Sequence, residues 1–262
     1  MIDDPHFVSA GNAGPFTLDG TRTYVIGRRN AVVIDPGPDV DSHVRALASR
    51  LVDAERVTIL LTHGHHDHAG AAEALARTVD APVWGPRGLE SRGVGPVHRT
   101  IAEGDEIDTD EGVLRVVHTP GHTREHLCFH WTSRKALFAG DLLLGEGDTT
   151  WVAEYPGCVA DYLDSLTRVR ALEVSVIYPA HGPALRDADA ALDRFERHRR
   201  RRIEQVAEVL RAYPGAGLEE LLDRVYGTGL PSGVRGAAIR SLGALVDFVR
   251  GVPGVRAETG DV

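Results

Sequence analysis

The chain has 262 residues, of which 42% are hydrophobic and 26% charged. These values are typical of a globular protein with a sizeable core, and they exclude a wholly disordered chain. The formal net charge is −9, and the negative excess lies within residues 1–185. The larger part of the chain would therefore repel a polyanion at long range.

Neither a membrane segment nor an export signal is predicted. No run approaches the roughly 20 apolar residues that a membrane-spanning helix needs. The acidic start lacks the basic and apolar regions of a secretory signal. We therefore expect a cytoplasmic protein without a membrane partner. Cys128 and Cys158 are too few for a disulfide framework and are predicted to be small buried side chains.

In chain order, the first two thirds predict strands alternating with helices. Segments with strand character lie at 21–27, 31–37, 57–61, 81–84, 113–117, 127–131, 136–138 and 174–178. Residues 40–53, the alanine-rich 69–79 and residues 159–172 favour helices. This alternation indicates a layered α/β domain over residues 1–185.

The pattern changes after Pro183. One long amphipathic helix is predicted over 187–212 and ends before Pro214-Gly215. Two shorter helices, 218–226 and 234–250, follow it, and a hairpin between elements is left open. We predict that residues 186–262 form a small separate helical domain.

The densest group of reactive side chains follows the predicted strand 57–61. It reads Thr62-His63-Gly64-His65-His66-Asp67-His68. His63 and His65 are two residues apart, so their rings point the same way in an extended segment. Asp67 and His68 begin the next helix and can face a second point. So many metal-ligand residue types within so few positions rarely arise by chance, and they indicate a metal site.

Three later segments have a common pattern, in which a ligand-type residue follows an apolar strand and a tight turn. They contribute His122, Asp141 and His181. Each is weak evidence alone, because a single histidine after a strand is more often structural. Loops at the carboxyl ends of strands are, however, where the sites of α/β proteins collect. With the first motif, the three residues form a strong set.

The order HxHxDH, then histidine, aspartate and histidine, resembles the metallo-β-lactamase superfamily over about residues 14–183. The resemblance implies an α/β fold, a four-layered αββα sandwich with two zinc ions, Zn2+, per chain at one edge of its sheets. It implies that His63, His65 and His122 hold one zinc, that Asp67, His68 and His181 hold the other, and that Asp141 bridges both.

The implied chemistry is hydrolysis by a hydroxide that bridges the two metals and attacks a carbonyl or phosphorus. Asp67 is expected to orient that hydroxide as a catalytic residue. His126 lies four residues after His122 and is also predicted as catalytic, although hydrogen bonding within the scaffold remains open. Asp35, at the end of a strand, could orient a ligand histidine.

Particular residues narrow the choice among the branches of the superfamily. His65 in place of glutamate disfavours the di-iron flavoproteins, and Asp141 in place of cysteine disfavours many β-lactamases. The start of the chain and its histidine turns resemble the lactamase-β-like-protein-2 subgroup, which carries a winged-helix-like C-terminal domain. That subgroup includes thioesterases and single-strand endoribonucleases. Gly64 departs from its pattern, because relatives commonly have histidine there.

The leading hypothesis is therefore hydrolysis of an ester or thioester of a small-molecule acyl compound. Cleavage of single-stranded RNA is the alternative, and a glyoxalase II-like hydroxyacylglutathione hydrolase is disfavoured by Ala71. A regulator that keeps the metal domain only as scaffold is disfavoured by the intact ligand set. A homodimer is left open.

A run of arginines in the long predicted helix has two interpretations. It consists of Arg194, Arg197, Arg199, Arg200, Arg201 and Arg202. It is either an RNA contact strip or a solvated helix face, and the acidic net charge favours the solvated face.

Residues 85–104 and 142–155, with Trp151 and Tyr155, are expected to line the mouth of the site.

Overall fold

A computed structural model of the protein describes residues 4–251. Its strands form two sheets. The first sheet has the order β1-β2-β3-β4-β5-β6 and is antiparallel from β1 to β3 and parallel from β3 to β6. Its strands are β1 His6–Ser9, β2 Arg22–Ile26, β3 Asn30–Ile34, β4 Arg56–Leu60, β5 Val83–Gly85 and β6 Arg99–Thr100.

The second sheet has the order β11-β10-β9-β8-β7. It is antiparallel except for the parallel pair β10 and β11. Its strands are β7 Glu106–Thr109, β8 Gly112–His118, β9 Leu127–Trp131, β10 Ala136–Gly140 and β11 Val176–Pro179. A parallel pair needs a crossover, and the connection from β10 to β11 contains a helix.

Seven α-helices accompany the sheets within residues 4–251. They are α1 Asp41–Arg50, α2 His66–Ala69, α3 Ala72–Val79, α4 Cys158–Arg170, α5 Ala188–Ala212, α6 Leu218–Tyr226 and α7 Ser232–Val249. The longest, α5, begins at an Asp187 cap whose carboxylate accepts a hydrogen bond from the Ala190 amide at 3.0 Å. This cap satisfies one of the amides that every helix start leaves without a helical partner.

The two sheets pack face to face around an inner core. Alternation along β3 directs Val32 and Ile34 to this core and Ala31 and Val33 to the opposite face. The centre of the core is aromatic, and the Phe138 ring lies 5.1 Å from that of Tyr24, centroid to centroid. Burial of both strand faces explains why β3 is almost entirely apolar.

Each sheet is covered on its outer face by helices. Helices α1 and α3 pack on the first sheet and share an apolar cluster with it. Helix α4 packs on the second sheet, α5 and α7 pack on α4, and α6 packs on α5 and α7. The layers are therefore helix, sheet, sheet and helix, which confirms the predicted αββα sandwich with an added C-terminal helical region.

The C-terminal helices share one continuous buried cluster with α4 and the second sheet. Leu222 of α6 and Leu242 of α7 belong to the same cluster as Leu137 of β10 and Leu166 of α4. Residues 186–251 contain three helices and no strand in the described structure. The hairpin left open by the sequence is therefore not among them. The domain boundary at residue 186 remains a prediction, and residues 252–262 of that domain lie outside the described residues.

Every predicted strand and helix is present, and three short strands, β1, β6 and β7, were missed. Each of them is four residues or shorter. Most positions in these strands are exposed and polar, so they lack the apolar alternation that reveals a strand. The helix expected to begin with Asp67 and His68 is divided into α2 and α3. Cys128 and Cys158 are free and buried, as expected. In the part of the chain that is described, no helix is long and apolar enough to cross a membrane.

Truncation of Leu222 to alanine tests the shared cluster. Leu222 is 0% exposed, so Leu222→Ala is expected to lower the free energy of unfolding by about 2–5 kcal/mol. Urea denaturation followed by tryptophan fluorescence and by far-UV circular dichroism should show the same shift in both signals. Val52→Ala, at a site 78% exposed, should change little. A shift confined to the circular dichroism signal would contradict a single cooperative core.

Candidate metal centre

The predicted ligand residues meet at one edge of the sandwich. His63 and His65 follow β4, His122 follows β8, Asp141 follows β10 and His181 follows β11. Each side chain is thus held just beyond the end of a strand that is fixed by its sheet. The structure brings together all seven residues that were predicted as ligands, in overlapping clusters of converging donor atoms.

The first cluster consists of three imidazoles. The Nδ1 atom of His65 lies 3.0 Å from Nε2 of His63 and 3.0 Å from Nε2 of His122. Burial lowers the pKa of His63 well below its usual value, and burial lowers that of His122 to about 4 despite the nearby Asp141. These two rings are therefore neutral at pH 7, which is the form that binds a metal ion.

The second cluster contains Asp67, His68 and His181. Oδ2 of Asp67 lies 3.3 Å from Nε2 of His181 and 3.6 Å from Nε2 of His68. Both histidines are fully buried, whereas the Asp67 side chain is 30% exposed towards a cavity. The cluster therefore has one side that a substrate or water can reach.

Asp141 lies between the two clusters. Its Oδ1 is 3.4 Å from Nε2 of His68 and 3.3 Å from Nε2 of His181. Its Oδ2 is 3.4 Å from Nε2 of His122. Each carboxylate oxygen therefore faces a different cluster, which is the arrangement that a ligand bridging two ions requires.

The donor set fits divalent metal ions. Nε2 of His68, Nε2 of His181 and Oδ1 of Asp141 are buried and have no hydrogen-bond partner. Buried polar atoms without partners are costly, so their grouping indicates a site that suits a positively charged ion. Imidazole nitrogen and carboxylate oxygen are donors that zinc accepts. Burial opposes the charge of Asp141, but His68 and His181 outweigh it and hold its pKa well below the usual value.

A second ring of contacts holds each histidine by its other nitrogen. Such contacts fix the ring orientation and the tautomer of a metal ligand. The contacts are His63 Nδ1 to Thr62 Oγ1 at 2.9 Å, His65 Nε2 to Glu154 Oε1 at 3.0 Å, His68 Nδ1 to Asp35 Oδ2 at 2.8 Å, His122 Nδ1 to the Trp151 carbonyl at 2.9 Å and His181 Nδ1 to the Gly20 carbonyl at 3.4 Å.

Asp35 connects this second ring of contacts to the backbone at Thr62, in the first histidine motif. Its carboxylate accepts hydrogen bonds from the Thr62 amide at 2.8 Å and the Thr62 hydroxyl at 2.7 Å, and it contacts His68. Asp35 has a φ of +50°, a left-handed conformation that aspartate tolerates better than most residues. The sequence-based expectation that Asp35 orients a histidine agrees with this geometry.

Glu154 is a site residue that the sequence analysis missed. Besides His65, it contacts Arg92, whose Nη2 lies 2.7 Å from Oε2 of Glu154. Arg92 also pairs with Glu125 at 2.7 Å. A Cβ atom at Gly64 would lie 2.5 Å from Cδ of Arg92, so a larger residue at this position would displace the arginine. Glu154 is 89 residues from His65, and no local pattern connects them.

His126 forms hydrogen bonds within the scaffold, which is the alternative that the sequence left open. It is 0% exposed, its Nδ1 lies 2.9 Å from Oγ1 of Thr119, and its Nε2 accepts a hydrogen bond from the Asp141 amide at 3.1 Å. Burial lowers its pKa well below the usual value, so the ring is neutral and can accept this bond. Both nitrogens of the ring therefore contact the protein, and one of them contacts the backbone of Asp141. This geometry is compatible with a positioning role for His126, and its catalytic role stays a prediction.

A cavity of about 520 Å³ opens beside the two clusters. Asp67, Asp141, His65 and His122 lie on one side of it. The other residues that form its wall include Phe16, Leu144, Thr150, Trp151, His198, Arg199, Arg202, Tyr226, Leu230, Val234, Ala238 and Leu245. The C-terminal helices thus form much of the cavity. Trp151 lines it as expected, whereas Tyr155 and residues 85–104 do not.

The fold and the clusters together define a class of protein, namely an αββα sandwich with a two-part candidate metal centre at the sheet edge. Among known families, the model of the metallo-beta-lactamase superfamily matches residues 16–181. The chain therefore belongs to the metallo-beta-lactamase superfamily. This confirms the resemblance found in the sequence, and the expected enzyme class, a hydrolase, is confirmed with it.

Individual relatives agree with the family. A beta-lactamase-like protein 2 homolog from Caenorhabditis elegans is 31% identical over 239 residues, 88% of this chain and 79% of that protein. An atrochrysone carboxyl ACP thioesterase from Passalora fulva is 31% identical over 241 residues, 87% of this chain and 69% of that protein. The solved structure of a beta-lactamase domain protein from Burkholderia ambifaria shares the fold, with a TM-score of 0.81 at 20% identity over 94% of this chain and 86% of that one.

Replacement of Asp35 by asparagine tests the second ring of contacts. Asp35→Asn removes the carboxylate that holds His68 and Thr62, so metal affinity is expected to fall about 10- to 100-fold. Competition with a chromophoric chelator would measure this affinity. Asp39→Asn, at an exposed site in the same loop, should leave it unchanged. Equal affinity in the two variants would contradict the role of Asp35.

The two roles considered for His126 predict different results for His126→Ala. A positioning role predicts lower metal content by elemental analysis and a pH profile of residual activity with an unchanged shape. His130→Ala, which removes a histidine of β9 outside the centre, should retain the metal content of the original protein. Full metal content with the loss of one limb of the pH profile would restore the catalytic assignment.

Proposed function

We propose that this protein is a binuclear zinc-dependent hydrolase that cleaves esters or thioesters of small acyl compounds. The observation that carries this proposal is the position of the two donor clusters. Together they open into one cavity that has charged groups on one side and apolar side chains on the other. Relatives named as ACP thioesterases support an acyl thioester as substrate.

In this proposal each cluster holds one zinc ion. His63, His65 and His122 would bind the first, Asp67, His68 and His181 the second, and Asp141 would bind both. When bound, a pair of zinc ions supplies Lewis acidity and lowers the pKa of water towards neutrality. The remaining contributions come from the protein side chains around the cavity.

Asp67 is suited to orient the attacking water. Burial opposes its charge, but the nearby His181 and His68 outweigh burial and hold its pKa at about 2. The carboxylate is therefore ionised at pH 7 and accepts a hydrogen bond from water on its exposed side. A fixed acceptor lowers the entropic cost of aligning a nucleophile with the substrate carbonyl.

The apolar part of the cavity is suited to an acyl group. Leu230 lies between α6 and α7, and Val234, Ala238 and Leu245 belong to α7. Burying an acyl chain against them releases water and stabilises binding by about 0.8 kcal/mol per methylene group. Excluding water also strengthens the electrostatic interactions of the adjacent charged groups.

The arginine run gives little support to RNA as substrate. Arg200 is exposed and pairs with Glu196 at 2.8 Å, and Arg201 is exposed and pairs with Asp148 at 3.4 Å. Arg199 and Arg202 instead line the cavity. The run is therefore divided between the surface and the interior, and it does not form one continuous strip for a phosphate backbone. A small acyl substrate fits this division better.

Removal of metal tests the proposed function. Elemental analysis of purified protein is expected to find about two zinc ions per chain. Dialysis against a chelator should abolish hydrolysis of pentanoyl-N-acetylcysteamine, and added zinc should restore it. Asp141→Asn should lose metal and activity, whereas Asp164→Asn, an exposed acid on α4, should keep both. Zinc-dependent cleavage of single-stranded RNA without thioester hydrolysis would replace the proposal with the nuclease alternative.

A further inference from the structure

Arg199 is a buried cation in the wall of the cavity. It belongs to α5, lies among five other arginines between positions 194 and 202, and is only 4% exposed. Arginine is rarely buried without a partner, because removing its charge from water is costly. The surroundings of its guanidinium group therefore indicate what the cavity is built to bind.

The protein contacts of Arg199 leave its charge without compensation. Nη2 donates a hydrogen bond to the Thr150 carbonyl at 3.1 Å, and the guanidinium carbon lies 5.1 Å from the centroid of the Tyr162 ring. The buried Nε has no hydrogen-bond partner. Among residues 4–251, no carboxylate forms an ion pair with Arg199. Burial accordingly lowers its pKa from the usual value.

Neighbouring charges add to the positive potential. Arg202 lines the same cavity, contacts Gln205 at 2.8 Å, lies over the Tyr226 ring, and forms no ion pair within the described part of the chain. Asp148, an acid near this wall, is already paired with His198 at 2.9 Å and with Arg201. Of the arginines in the run, Arg200 and Arg201 pair with acidic side chains, whereas Arg199 and Arg202, which face the cavity, form no ion pair within the described residues.

We propose that Arg199, assisted by Arg202, forms an anion-binding subsite, and that the substrate carries a carboxylate or phosphate which this subsite receives. This inference rests on the proposed function and narrows its substrate class to amphiphilic acyl thioesters with a negative group. The anion has two possible sources, a carboxylate on the acyl part or a phosphate on the thiol arm. Both present oxygen atoms that a guanidinium group binds in the same way.

The position of Arg199 relates this subsite to the metal centre. The Thr150 carbonyl that it contacts belongs to the residue whose hydroxyl donates to the Asp141 carbonyl at 2.8 Å. Trp151, the next residue, holds His122 through its carbonyl. One short loop thus joins the subsite to the donor clusters and fixes the distance between them. A substrate whose anionic group is bound at the subsite would therefore have its scissile bond positioned beside the clusters.

Three thioesters separate the sources of the anion. Pentanoyl-N-acetylcysteamine is neutral, glutaryl-N-acetylcysteamine adds a carboxylate to the acyl part, and pentanoyl-phosphopantetheine adds a phosphate to the thiol arm. At least one anionic substrate is expected to exceed the neutral one in kcat/KM by about 10- to 100-fold, which is the strength of a buried charge-assisted hydrogen bond. The favoured substrate identifies the source.

Arg199→Met should bring the ratio of kcat/KM between the favoured anionic substrate and the neutral substrate close to one. Arg200→Met, on the same helix but at an exposed position, should leave the ratio unchanged. If Arg199 only braces the Thr150 loop, Arg199→Met would slow all three substrates by the same factor, and this outcome overturns the proposal. Equal rates for the three substrates with the original protein, or a preference that survives Arg199→Met, also overturn it.

A binding measurement keeps this inference separate from the proposed function. Glutarate or inorganic phosphate should raise the Tm of the original protein and of Arg200→Met, but not that of Arg199→Met. If no thioester is hydrolysed while this difference persists, the proposed function fails and the anion subsite stands. If Arg199→Met does not fold, Arg202→Met is expected to reduce both the ratio and the Tm increase, and no reduction would overturn the proposal.

Discussion

The rest of the structure depends on a group of polar atoms that is buried at one edge of the sandwich, and some of these atoms have no hydrogen-bond partner in the protein. The two oxygens of Asp141 face different sets of imidazole nitrogens at 3.3–3.4 Å, and three of the atoms involved make no hydrogen bond. Such a group would be unfavourable by itself, because desolvated lone pairs and negative charge need compensation. Cations bound in the clusters would provide it, and metal binding would then be coupled to the stability of this edge.

The rest of the sandwich holds these atoms at fixed positions. Five of the seven predicted ligands follow buried strands, and the other two, Asp67 and His68, lie on the short helix α2. Each ligand histidine is also held by a contact to its second nitrogen. Asp35 and His126 contribute to this task without facing the cavity, since one holds Thr62 and His68 and the other holds the amide of Asp141. Preorganisation of this kind lowers the reorganisation needed during a reaction.

The C-terminal helices add the substrate side of the site. They share a core with α4, and residues of α5, α6 and α7 line the cavity next to the donor clusters. A metal centre at a sheet edge would otherwise face open solvent. The helices supply both an apolar surface and the buried guanidinium group of Arg199, which has no acidic partner in the described chain. In the proposed function, substrate specificity would depend on this added region, while the sandwich would supply the catalytic chemistry.

The sequence by itself determined the layered α/β domain and the seven converging residues, and its resemblance to the superfamily implied the sandwich. Apolar strands, periodic helices and the HxHxDH spacing are local patterns, and a strand that ends in a ligand-type residue predicts a site at the sheet edge. Only the tertiary structure decided which partners Glu154, His126 and Arg199 meet. Glu154 meets His65 across 89 residues, and His126 and Arg199 are distinguished from their neighbours by which partners they meet after folding. These contacts depend on long-range packing, which has no signature in local sequence.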